Sequence, residues 1–158
     1  MPTKSQSQIA GSPRPSRATK RLRREIAKHS GHQALVALGP TSHVKFYRTS
    51  DVKHTLKTVR HHQHEQVALY GEWWCQNQEA SIELKTEVER MMSETYEKAN
   101  GTGFYRLVVE TAMVQSLVEL AAGRTGIILL TKQDRDCWLD HEASEAMKRK
   151  IRGFSEVR

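Results

Sequence analysis

Arg14, Arg17, Lys20, Arg21, Arg23, Arg24 and Lys28 set seven cations within 15 residues, the densest chemistry in the chain. A guanidinium offers a planar fork of N–H donors that matches two phosphate oxygens. Cations at this density suit a polyanion such as DNA or RNA. Six phosphate contacts give a log–log salt slope of about −5, because each contact releases roughly one counterion. Residues 1–32 hold no aromatic side chain, so base stacking by this stretch is not expected. The expectation is backbone binding without sequence readout. Two other readings fit the same composition. One is a solvated tail that only aids solubility. The other is an organellar import sequence, which Pro2, Pro13 and Pro15 oppose by breaking the amphipathic helix it needs.

A second basic stretch holds Lys45, Arg48, Lys53, Lys57 and Arg60, interleaved with His54, His61, His62 and His64. It is a secondary candidate for phosphate. His61 and His64 stand at i, i+3 beside Glu65, a spacing that metal ligands use on helices. Cys137 and His141 stand at i, i+4. Neither pair has a second ligand pair in support and no HExxH is present, so these are weak metal candidates and no cofactor is expected. Asp134, Asp136, Asp140, Glu142 and Glu145 form an acidic run. Paired carboxylates can hold Mg²⁺, but acids near a helix start also suit its dipole, and that reading is preferred. No catalytic residue is assigned.

Trp73 and Trp74 diverge widely if helical. One then enters the core, and the other either widens the core stripe or anchors a partner. Gly101 with Gly103, and Gly123 with Gly126, read as helix breaks rather than phosphate loops, because no G-x-x-x-x-G-K-[ST] pattern is present.

These residues need elements to position them. Residues 1–16 are rich in Ser, Gln, Pro and Gly, which predicts disorder. Arg17 to Lys28 fits a helix that is marginal alone and forms on a partner. Gln33 to Leu38 is a short apolar segment. Val44 and Phe46 alternate within a strand at 43–48, and Asp51 is placed to cap a helix. Apolar spacing predicts helices over 52–76, 79–99 and 104–122, the last apolar nearly all round and therefore buried or at a subunit contact. A second short strand is expected at 127–130, pairing with 43–48. Thr131 to Asp134 reads as a capping box that opens a last helix to about Arg152. The expected fold class is mainly α: a helical bundle with at most two short strands, at 43–48 and 127–130, and a disordered basic N-terminal arm. The expected domains are a flexible arm at 1–32 and a single helical domain at 33–158.

Charge follows the same division. The chain carries a net +7, and residues 1–32 hold eight bases against one acid, so the remaining 126 residues are neutral. Within them, residues 43–64 are basic and 65–97 hold eight glutamates. Helices of opposite charge are expected to pair within one monomer, or alternatively between subunits. The longest fully apolar run is Ile127 to Leu130, far short of the roughly 20 residues a membrane span needs. No signal-peptide stretch is read at the N-terminus, and Cys75 and Cys137 are expected as reduced thiols.

The function expected from these features is a non-enzymatic nucleic-acid-associated protein. Its basic arm binds the phosphate backbone of DNA or RNA, independent of sequence. Its helical body self-associates, with Trp73, Trp74, Val109, Met113 and Val118 as interface candidates. Viral or phage structural and packaging proteins, plasmid accessory factors and ribonucleoprotein subunits share that layout. The expected location is cytoplasm, nucleoid or virion. The alternatives are an assembly adaptor whose arm is incidental, and a small metal-dependent hydrolase using His61, His64, Asp136 or Asp140.

Overall fold

The computed structural model describes residues 14–63, 66–99, 103–106 and 111–155. Helix α1 spans Arg17–His29. Strands β1 (Gln33–Gly39) and β2 (His43–Thr49) follow as an antiparallel hairpin, with Val36 opposite Tyr47 and Ala37 opposite Phe46. Gly39 is required at this turn, because a Cβ there would lie 2.1 Å from the carbonyl oxygen of His43. Helix α2 (Val52–His62) starts where the Asp51 carboxylate accepts from His54 N at 3.0 Å. Strand β3 (Ala68–Cys75) returns antiparallel on the other edge of β1. Helix α3 (Gln78–Thr95), strand β4 (Tyr105–Arg106), helix α4 (Thr111–Thr125) and helix α5 (Lys132–Ser155) complete the chain.

The sheet order is β3-β1-β2-β4, and each strand pair is antiparallel. The central β1 is buried on both faces, so it reads as a continuous apolar run rather than an alternation. Its Leu35 and Ala37 join Val44 and Phe46 under Leu84, Val88 and Met92 of α3 and Val114 and Val118 of α4. Its Ala34, Val36 and Leu38 join Trp74 under Val59 of α2, with Leu56 packed alongside. Helices thus cover both faces. α5 begins on the face that α2 covers, where the guanidinium of Arg135 lies 3.6 Å from the centre of the Trp74 ring. α1 in turn packs on α5.

This architecture corrects the expected helical bundle. The four-stranded antiparallel sheet is the centre of the fold. Three segments account for the difference. The helix expected over 52–76 ends at His62, and 68–75 is a strand. At the C-terminal end of β3, Trp73, Trp74 and Cys75 are consecutively buried because both faces are covered there, whereas Ala68 and Leu69 are exposed, so the strand gives no period of 2. The helix expected over 104–122 is replaced by β4 and then α4 from Thr111. Phe104 and Tyr105 enter the core from a strand and loop, so the apolar perimeter belonged to two elements. The strand expected at 127–130 is reduced to one bridge, Leu130 to Trp74, at the β3 edge. It does not pair with β2, which lies beyond β1. Positions 127 and 129 pack with the α3–α4 side and 130 with the α2 side.

The disordered arm in that expectation changes as well. Arg17–His29 is an ordered helix seated on α5, while residues 1–13 lie outside the described residues. The capping box has the expected form: Asp134 N donates to Thr131 Oγ1 at 3.0 Å, and Thr131 N donates to Asp134 Oδ2 at 3.2 Å. α5 then runs through Gly153 to Ser155. Among the described residues, no helix is long and apolar enough to cross a membrane.

Candidate nucleic-acid interface

The local sequence of α1 sorts its side chains onto two faces. Arg17, Lys20, Arg21, Arg24 and Lys28 stand at i, i+3, i+4, i+7 and i+11, one stripe of the helix. All five are exposed. At 1.5 Å per residue the stripe is about 16 Å long. Thr19, Leu22, Arg23 and Ile26 occupy the opposite side and are partly buried. Ser16 caps the helix by accepting from Thr19 N at 3.2 Å. At the other end Ser30 Oγ donates to Ala27 O at 2.9 Å and accepts from His32 N at 3.1 Å. Gly31, with φ 74°, then turns the chain into β1.

Arg23 differs from its neighbours. Its Nη2 donates to Asp136 Oδ1 at 2.8 Å, and Nη1 lies 3.2 Å from Asp140 Oδ1. It holds α1 onto α5 and is turned away from the stripe. Asp136 and Asp140, considered as Mg²⁺ ligands or solvated acids, are the acceptors of this contact. Both contacts are partly solvated, so together they contribute about 1 kcal/mol or less. Packing on α5 offsets the conformational cost that makes a short polar helix marginal in isolation.

Arg14 is exposed just before α1. The second basic stretch divides. Lys53 and Lys57 are exposed on α2. Arg60 Nε donates to Val67 O at 3.3 Å. Arg48 reaches the other face and donates to Ser81 Oγ on α3 at 3.4 Å. The Lys45 ammonium lies 5.3 Å from the Tyr47 ring centre and 5.7 Å from that of Phe104. The basic α2 and the glutamate-rich α3 cover opposite faces of the sheet. Their charges therefore do not pair within the monomer. The α3 glutamates instead meet Lys85, Arg90 and, from α4, Arg124.

The remaining candidates are dispersed. Trp73 is buried on the α3–α4 side and Trp74 on the α2 side. Val118 is fully buried, Met113 is exposed on α4, and Val109 lies outside the described residues. The rings of His61 and His62 meet edge to face, and His64 lies outside the described residues. Cys137 and His141 are both exposed. Among the described residues, no group of three or more His, Cys, Asp or Glu is placed to hold a metal ion. Cys75 and Cys137 are both free thiols, and burial pushes Cys75 up to about 11.

One assembly beside α1 was not read from the sequence. His32 and Trp138 pack with ring centres 4.8 Å apart. Next to them, Arg135 lies over Trp74, whose Nε1 donates to Glu72 Oε1 at 2.9 Å. His32 Nδ1 and Arg135 Nε are buried without a hydrogen-bond partner. Burial, and then the Arg135 charge, lowers the His32 pKa. Arg135 is lowered chiefly by burial, against the opposing pull of Asp136 and Glu72. Trp138, Glu25, Ile26, His29 and Ser30 line a shallow groove of about 290 Å³ between α1 and α5. The sequence signal for it was Trp138, the one tryptophan of α5.

Compared with known proteins, the chain matches no family model, no curated sequence and no solved structure.

Proposed function

We propose that this is a non-enzymatic nucleic-acid-associated protein that grips the phosphate backbone through α1. The observation that carries the reading is the division of α1 into two faces. Five cations occupy one exposed stripe, and on the opposite side Arg23 meets Asp136 and Asp140 of α5 while Leu22 and Ile26 are partly buried. A cationic helix already seated on a folded body loses less entropy on binding than a free tail. Its cations act on phosphate charge, which carries no sequence information. Lys53 and Lys57 on α2 and Arg14 before α1 add exposed positive charge.

Binding to two unrelated duplexes and one single strand across a range of salt tests the proposal. Each logarithmic plot is expected to be linear and to fall steeply with salt. With five phosphate contacts the slope on duplex is about −4 to −5. The two duplexes are expected to give the same slope. A flat salt dependence, or binding confined to one duplex sequence, contradicts backbone recognition.

A further inference from the structure

We infer that the groove between α1 and α5 receives one unpaired base of a single-stranded nucleic acid, stacked on Trp138. The inference rests on phosphate binding by α1 and adds the strand type to it. The basic stretch has no aromatic of its own; the fold supplies one from α5. Trp138 is 37% exposed. The His32 ring packs against it at 4.8 Å, which fixes the indole while part of it still lines the groove. Ile26 gives a second apolar wall. An open, largely apolar slot with an aromatic in its wall suits the flat face of a base, and any base has such a face.

Charge complementarity selects this occupant. Glu25 at the groove wall adjoins the cationic stripe: Arg21 stands one turn before it on the helix, and Lys28, three residues after it, has its Nζ 4.0 Å from Glu25 Oε1. A base in the slot brings its flanking phosphates beside Arg21 and Lys28. The Glu25 carboxylate repels phosphate from the slot itself and can accept from a base N–H. Bases of a duplex are paired and stacked, so they cannot enter without unpairing. An apolar side chain of a protein partner is the competing occupant.

The test uses the full chain and three probes at one salt concentration: a short unstructured DNA strand, the same strand made abasic, and a duplex of equal phosphate count. The base-bearing strand is expected to bind roughly 5- to 100-fold tighter than the abasic one. Trp138→Ala is expected to bring it to the abasic level, and Trp138→Phe to keep part of the difference. Equal affinity of the unmodified protein for base-bearing and abasic strands overturns the inference, points to a protein occupant, and leaves backbone binding standing. Absence of binding to all three probes overturns both. The abasic comparison needs no substitution, so it decides the matter even if Trp138→Ala unfolds.

Discussion

Arg23 Nη2 stands 2.8 Å from Asp136 Oδ1, and this contact separates one cation of α1 from the other five. Arg23 faces the body, whereas Arg17, Lys20, Arg21, Arg24 and Lys28 face solvent. Neighbouring arginines on one helix are therefore expected to behave differently. Arg23→Ala is expected to lower stability by about 1 kcal/mol or less, the range for a partly solvated pair, and to leave the salt slope of nucleic-acid binding unchanged. Arg24→Ala is expected to leave the thermal midpoint unchanged and to make that slope shallower by about 0.7 to 0.9. Thermal melts and salt titrations of both variants check this. The opposite assignment would show that Arg23 is the phosphate contact.

The ring of Trp73 lies where a side chain at Gly71 would be. A Cβ there would come within 2.3 Å of it. Gly71→Ala is expected to destabilise by about 1–3 kcal/mol, as overpacking does elsewhere. Urea unfolding followed by tryptophan emission measures it. A neutral result would mean that the Trp73 ring moves aside at no cost.

His32 gives a pH dependence. Burial, then the Arg135 charge, holds it below its ordinary value of 6.5. The folded state therefore favours the neutral ring. The stability that preference contributes is complete above pH 6.5 and is lost as pH falls through the folded-state value. Glu87 and Glu145 are also held below their ordinary 4.5, by Arg90 and Lys148 respectively, so the stability they contribute is lost in more acid solution than that of His32. Between about pH 7 and pH 5 the thermal midpoint of the unmodified protein is expected to fall faster than that of His32→Phe. Parallel curves would contradict the placement of His32 beside Arg135.

Both clusters of buried apolar residues lie between Ala34 and Leu130. Residues 33–158 are therefore expected to fold without the first 32, and to keep the near-ultraviolet signal of Trp73 and Trp74. Loss of that signal on truncation would make α1 part of the core.

Some of this was legible in the sequence. The alternation of Val44 and Phe46 marked β2, and Asp51 and Thr131 marked helix starts, because each is a local signal. The cationic density of 14–28 was equally plain. Strands β1 and β3 were not legible: β1 is covered on both faces, and in β3 burial is confined to Trp73, Trp74 and Cys75 at its end, so neither shows an alternation. Val67, Tyr70 and Trp74 fit helical spacing as well as they fit a strand. The inward turn of Arg23 depends on Asp136, 113 residues away, and no local pattern reports such a partner. The same holds for Trp138, which gains its place beside α1 only when α5 packs there.

The most direct measurement of the central claim is a salt titration of nucleic-acid binding by the Arg21→Ala, Arg24→Ala, Lys28→Ala triple variant. These three side chains share the exposed stripe, and none is the Arg23 that docks the helix. The logarithmic slope is expected to become shallower by roughly 2 to 3 for duplexes of unrelated sequence. The thermal midpoint is expected to stay the same. An unchanged slope would contradict the account and remove α1 from the binding surface.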